Sequence, residues 1–161
     1  MAEISADAAG GRNVVAFLDM LAWSEGTDNG RQPTKNRGYD VLVGGGLFTD
    51  LSKHPGKLVR LNPKLASTAA GRYQFLSRTW GNLQKQLGLP DFGPLSQDKA
   101  CIELILGRKA LGAVKAGQFD QAVALCSKEW ASLPGAGYGQ HEQKLERLRQ
   151  AYVKAGGEVA V

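Results

Sequence analysis

Apolar residues recur at helical spacing in several short stretches of this 161-residue chain, and glycine or proline stops each of them. A helix of that kind buries a single stripe, so the segments must pack on one another around a shared core. The clearest is Val14–Glu25, with Val14, Phe17, Leu18, Leu21 and Ala22 on one face and Gly26 just beyond. The polar run TDNGRQPTKNRG that follows cannot continue a helix. Helical patterning resumes at Gly71 through RYQFLSRTWGNLQKQLG and ends near Gly88. Ser96 reads as an N-cap, with Asp98 in the first turn of a helix reaching about Gly107, and a further stretch extends toward Gly117. Asp120 suits the cap of QAVALCSKEWASL, which Pro134-Gly135 stops. A last helix, from about Gln140, carries Leu145, Leu148 and Tyr152 on one face and stops at Gly156-Gly157.

Between the first two helical stretches the pattern changes. In YDVLVGGGLFTD, two β-prone pieces flank a triple glycine, which predicts a small hairpin. Leu51–Ala70 contains His54-Pro55-Gly56 and Asn62-Pro63 and reads mostly as loop. The expected fold class is therefore α+β, mainly helical with one small hairpin. Residues 1–13, MAEISADAAGGRN, read as a loose leader, and residues 14–161 as a single domain. The leader has neither a basic start nor an apolar stretch, so it does not resemble a secretory signal. The expectation is a protein made in the cytoplasm that needs another protein to release it. No apolar run approaches the length that crosses a bilayer.

Lys and Arg number 20 against 15 Asp and Glu, a formal net charge of +5 that favours polyanionic partners: nucleic acid, a membrane surface or the bacterial wall. The charges are spread along the chain, without zinc-finger spacing or an aromatic RNA-binding signature, which argues against nucleic acid. Cys101 and Cys126 lie in apolar helical patterns and read as buried free thiols, although spacing alone leaves a disulfide open. His54 and His141 have no metal-ligand spacing, so a zinc amidase is disfavoured, as is a Cys-His peptidase. No metal and no cofactor are expected.

Glu25 is the first candidate for chemistry. The negative end of a helix dipole disfavours a carboxylate in the last turn, and packing against Trp23 or Tyr73 would add desolvation. A carboxyl group held protonated near neutral pH is what glycosidic cleavage requires, because the departing oxygen must receive a proton. A Glu before a Gly is also an ordinary solvated helix end, so context decides.

AWSEGTDNG resembles the Ser-Glu site at a helix end in lysozyme-like enzymes, AAGRYQF the Gly-x-x-Gln segment of that superfamily, and LPGAGYGQ the Ala-Tyr-Gly segment that closes the same cleft. Closer still, FLDMLAWSEGTDNGRQ, GYDVLVGG, LFTD, KLVRLNPKL, GRYQFLSR, KQLGL and WASLPGAGYGQ resemble the phage endolysins of the lambda type, from about Phe17 to Gly157. The resemblance implies a lysozyme-like fold with the hairpin region flanking a substrate groove. It also implies a lytic transglycosylase that cuts the β-1,4 bond between N-acetylmuramic acid and N-acetylglucosamine without adding water. Glu25 takes the catalytic position, and Ser24, Tyr39, Asp40, Tyr73, Gln74, Gly137 and Tyr138 fall among the substrate-binding positions. The implied partners are peptidoglycan strands and a phage holin for release into the periplasm. The enzyme is expected to be a monomer without stable membrane association.

Several positions carry a second reading. Tyr73 suits core packing beside Phe75, Gln74 a loop hydrogen bond, and Asp40 either a second acid or a brace within the hairpin. Trp80 and Trp130 read as core. The glycine-rich stretches VGGGLFTDLSKHPGK and LPGAGYGQ look like lips of a groove, or plain turns. One departure stands out: the family pattern places a histidine where this chain has Arg37, so that histidine is not essential to the chemistry here, while Arg37 also suits an anionic wall group. Two rivals remain, a hydrolytic muramidase acting on the same bond and a basic wall-binding or nucleic-acid-binding module without activity.

Overall fold

Helix α2 (Arg12–Ser24) runs through the middle of the molecule, where it buries nine of its thirteen residues, from Val14 to Ser24. The structure, a computed structural model, describes residues 1–161. Around α2 pack α1 (Ala6–Ala9), α4 (Pro94–Gly107), α5 (Leu111–Lys115) and α7 (Leu145–Lys154). Helix α3 (Ser77–Leu87) lies on α4, and α6 (Phe119–Cys126) on α5. One continuous hydrophobic core results. At one end Phe119 stands between Phe17 and Tyr152, with ring centroids 6.1 and 4.7 Å away. At the other, Trp80, Phe75 and Phe92 meet at 4.6–6.3 Å in edge-on and tilted arrangements.

The leader is not loose. Ala2, Ile4 and Ala9 are buried, and the backbone N–H groups of Glu3 and Ile4 both donate to Asp98 Oδ2, at 2.9 and 2.8 Å. Small residues that read as a flexible lead-in are small because they fit against α2 and α4.

The sheet is displaced from its expected place. The antiparallel pair is β1 (Val59–Asn62) with β2 (Leu65–Ser67), in the segment expected to be loop, and it turns at Asn62-Pro63. Pro63 occupies the turn, where its missing N–H costs no ladder bond. The triple-glycine segment does reverse, but only as a single bridge between Val41 and Leu47, closed by Leu42 N–H to Gly46 O at 2.7 Å. Gly44 and Gly45 adopt positive φ there, which curls the chain too tightly for a longer ladder.

Helix boundaries moved for local reasons. Helix α3 begins at Ser77 because Gly71 and Gln74 are left-handed, at φ +86° and +56°, and Ala70 and Phe75 exchange backbone hydrogen bonds across that loop. Helix α4 starts at Pro94 rather than after a Ser96 cap: Asp91 Oδ1 accepts from Gly93 N and Ser96 Oγ, and proline takes the first turn. Asp98 is thereby buried inside the helix. Gln118 takes the N-cap position of helix α6 without a side-chain cap bond, Asp120 falls in the first turn, and the helix ends at Cys126, where Ser127 N–H and Oγ–H both turn back to Ala124 O. Residues 140–144 lie outside the helix, with Lys144 extended at its N-cap, so α7 begins at Leu145. Cys101 and Cys126 are buried and unpaired, and Trp80 and Trp130 belong to the core.

Candidate active site

Glu25 is the C-cap of α2, where its N–H still bonds Leu21 O and its φ and ψ remain helical. Gly26, at φ +77°, then reverses the chain so that Thr27 and Asp28 also donate to Ala22 O. The cap thus holds Glu25 at the mouth of a tight turn.

A buried guanidinium fixes that turn. Arg72 is 1% exposed, and it joins Asp19 of α2 at 2.6 Å and Asp28 of the turn at 3.3 Å. Its plane lies near the Tyr39 and Tyr73 rings, 5.5 and 5.6 Å from their centroids. From the next segment, Thr27 Oγ1 donates to Arg72 O at 2.6 Å. Gly38 approaches so closely that a Cβ there would lie 2.8 Å from Thr27 O.

The segment after α6 completes the surroundings. Trp130 Nε1 donates to Tyr73 O at 3.0 Å, which anchors the start of this segment to the Gly71–Phe75 loop. Ser132 then presents its hydroxyl to Glu25 Oε2 at 2.5 Å, with Ser24 Oγ 2.7 Å behind it. Glu25 Oε1 makes no hydrogen bond to the protein. Burial lifts the Glu25 pKa to about 7, against a smaller opposing pull from the Ser132 hydrogen bond. Desolvation, one of the two causes expected from the sequence, is the largest cause of the rise. This side chain is a proton donor and acceptor poised near neutral pH.

The other expected residues separate into two groups. Tyr39 and Tyr73 are 0% and 1% exposed, and both hydroxyls donate to Asp98 Oδ1, at 2.8 and 2.6 Å. Neither ring reaches a groove, so their assignment to sugar binding is corrected: each tyrosine's polar end finds a buried carboxylate instead. Ser24 is 4% exposed and faces Ser132, not solvent. Asp40 is also buried and accepts from Thr34 Oγ1 and Lys35 N–H, which makes it a brace within its loop. Gln74, Gly137 and Tyr138 remain accessible. Gln74 Nε2 donates to Gly71 O and Val41 O, and Tyr138, 55% exposed, ties its hydroxyl to Lys128 O beneath the Lys128 ammonium. Arg37 pairs with Glu3 at 2.7 Å and so fastens the leader.

Sequence reasoning missed Ser132, Arg72 and Glu142. Glu142 accepts from Gly135 N–H and Gly137 N–H, at 2.9 and 3.0 Å, and so shapes the Gly-rich loop that carries Tyr138. Ser132 lies inside WASLPGAGYGQ, but nothing in that string marks a hydroxyl that meets a helix end 107 residues earlier. No three His, Cys, Asp or Glu side chains are gathered where they could hold a metal ion.

The family model described as Endolysin matches residues 15–159. The endolysin of Escherichia phage lambda is 62% identical over 144 residues, covering 89% of this chain and 91% of the relative. That of Escherichia phage P2 is 51% identical, covering 91% and 94%. Among solved structures, bacteriophage lambda lysozyme complexed with a chitohexasaccharide superposes with a TM-score of 0.92 at 58% identity, over 99% of this chain and 100% of that one. A second lambda lysozyme structure gives 0.88 at 56% identity with the same coverage. These likenesses extend over the cap, the Arg72 clamp and the Ser132 segment alike, and the chain belongs to the endolysin family, with a lysozyme fold.

Proposed function

We propose that this endolysin is a peptidoglycan lytic transglycosylase in which Glu25 serves first as acid and then as base. As an endolysin of lysozyme fold it is a wall-degrading enzyme; the choice of reaction rests on one observation. Burial holds the Glu25 pKa near 7, and the carboxylates of Asp19, Asp28, Asp40 and Asp98 are each engaged elsewhere. Asp19 and Asp28 hold Arg72, Asp40 holds Thr34 and Lys35, and Asp98 holds two tyrosines. Ordinary retaining or inverting hydrolysis uses a second carboxylate as nucleophile or water activator. One carboxyl group suffices when the attack is internal.

In this reading protonated Glu25 donates to the oxygen between N-acetylmuramic acid and N-acetylglucosamine as the C–O bond breaks. The C6 hydroxyl of the muramic residue attacks its own C1, and the carboxylate takes that hydroxyl's proton. The product ends in a 1,6-anhydro ring and Glu25 is restored. Proximity of the two reacting groups on one sugar supplies much of the rate. Ser132 stabilises the transient carboxylate. Gln74, Gly137 and Tyr138 line the groove, and the chitohexasaccharide held by the lambda lysozyme supports a glycan as the ligand. The enzyme acts as a monomer on the periplasmic wall after release through a phage holin pore.

Mass spectrometry of digested peptidoglycan tests the reaction. Anhydro-muropeptides, one water lighter than hydrolytic products, are expected. Reducing ends would instead make the protein a muramidase, a reading that the name lysozyme carried by its solved relatives fits equally. Loss of activity in Glu25→Gln is expected, and an active Glu25→Gln would remove the assignment of the acid.

A further inference from the structure

We infer that Lys128 is a positioning residue for glycan binding: it fixes the loop that presents Tyr138 before any ligand arrives, and so governs affinity rather than rate. The inference deepens the function proposed above and rests on Tyr138 being a glycan contact.

Gly135, Gly137 and Gly139 are all left-handed, at φ +84°, +77° and +75°, and lie outside any helix or strand. Left to itself such a stretch samples many conformations, and ordering it costs entropy. Two side chains of opposite charge grip its backbone instead. Glu142 accepts from Gly135 N–H and Gly137 N–H, at 2.9 and 3.0 Å. Between them, Lys128 Nζ donates to Ala136 O at 2.5 Å. Carboxylate thus meets amide hydrogens and ammonium meets the carbonyl, the stronger, charge-assisted form of each bond. Ala136 is buried, and Lys128 is the sole protein donor to its carbonyl oxygen. Without Lys128 that oxygen would have no partner in this conformation, a state that buried backbone avoids.

Lys128 also holds Tyr138 directly. Its ammonium lies 5.5 Å from the ring centroid, and its own carbonyl accepts the Tyr138 hydroxyl at 2.7 Å. Ring and hydroxyl bear on one residue, which restrains the ring while leaving it accessible. An aromatic surface fixed in advance binds without first having to be ordered. Lys128 is not among the groups that shift the Glu25 pKa, which are burial and Ser132, so its loss should spare the chemical step. Lys128→Met keeps an unbranched side chain while removing the charge and the donor. It should raise KM about two- to fivefold, the size of one lost hydrogen bond, with kcat within about twofold.

The experiment measures KM, kcat and Tm on purified peptidoglycan for the wild type, Lys128→Met, Tyr138→Ala and the double variant. Release of soluble fragments is the signal, which either a transglycosylase or a muramidase would give. Lys128→Met should raise KM at unchanged Tm, and the double variant should match Tyr138→Ala, because Lys128 acts through that ring. Amide exchange at Gly137 should accelerate in Lys128→Met, the mark of a loosened loop. An unchanged KM in Lys128→Met beside a raised one in Tyr138→Ala would overturn the inference and leave the proposed function standing. So would a KM effect of Lys128→Met that persists in full in the Tyr138→Ala background, or unchanged exchange at Gly137. An unchanged KM in Tyr138→Ala would instead remove Tyr138 from the groove, and the inference with it.

Discussion

Ser132 donates its hydroxyl to Glu25 Oε2 across 107 residues of sequence, and this is the only hydrogen bond that the Glu25 carboxyl group receives from the protein. Burial pushes the pKa of Glu25 up to about 7 and Ser132 pulls it part of the way back. Replacing Ser132 by Ala should raise that pKa further, move the alkaline limb of the activity profile to higher pH, and reduce turnover about tenfold, because the carboxylate loses its stabilising donor. A pH–rate series on both proteins checks the direction. An alkaline limb that moves down would contradict it.

The same pKa has a consequence for folding. Glu25 binds its proton more tightly in the folded chain than in the unfolded one, where its value is near 4.5. The acid form thus incurs no penalty below about pH 4.5, and the burial cost grows as pH rises toward 7. Glu25→Gln should leave stability unchanged in acid and increase it above pH 7, by on the order of 2 kcal/mol for a side chain still partly open to solvent. Urea denaturation at pH 4 and pH 8 compares the two.

Tyr39 and Tyr73 both donate to Asp98 and neither reaches the surface. Tyr39→Phe and Tyr73→Phe should each lower stability by about 1–2 kcal/mol, with the double change costing less than the sum or more, but not simply the sum, because the two share one acceptor. Affinity for glycan should stay within twofold in either single variant, roughly the level of a neutral substitution. A selective rise in KM at unchanged stability would return these rings to the groove.

Arg72 joins α2, the turn after Glu25 and the two tyrosine rings from a position 1% exposed. Arg72→Met would leave Asp19 and Asp28 without their cation, and a loss of about 3–5 kcal/mol follows from breaking one side of a buried ion-pair cluster. Thermal unfolding followed by circular dichroism provides the measure; a Tm shift of only a degree or two would show the cluster to be dispensable.

Tyr138 and Glu142 separate binding from loop shape. Tyr138 is 55% exposed, so Tyr138→Ala should raise KM about tenfold or less while Tm stays the same. Glu142 holds Gly135 and Gly137 by their N–H groups, and Glu142→Ala should raise KM without touching any sugar, by loosening the loop. Hydrogen exchange at Gly135 and Gly137 would accelerate only in the second variant.

What could be read beforehand was mostly local. The 3.6-residue period and Gly26 located α2 and its end, and the apolar settings of Trp80, Trp130 and both cysteines placed them correctly in the core. The two-stranded sheet escaped because Pro63 looks like a strand breaker when it in fact occupies the turn. RYQF has helical period and predicts a longer α3, while the left-handed Gln74 answers to a backbone bridge between Ala70 and Phe75. Site residues were harder. A tyrosine in a recognised motif has an apolar face and a polar tip, and the string does not say whether that tip meets water, sugar or a buried aspartate. Ser132 and Arg72 act across gaps that no local pattern spans.

The separation between Glu25 and its partners also sets an order in time. On a growing chain the glutamate emerges early as an unremarkable carboxylic acid with an ordinary affinity for protons. Trp130, which braces the late segment, and Ser132, which completes the carboxyl group's surroundings, are made near the end of synthesis. Incomplete polypeptides therefore lack the Ser132 hydrogen bond, and the surroundings of the reactive group are complete only with the closing stretch of translation.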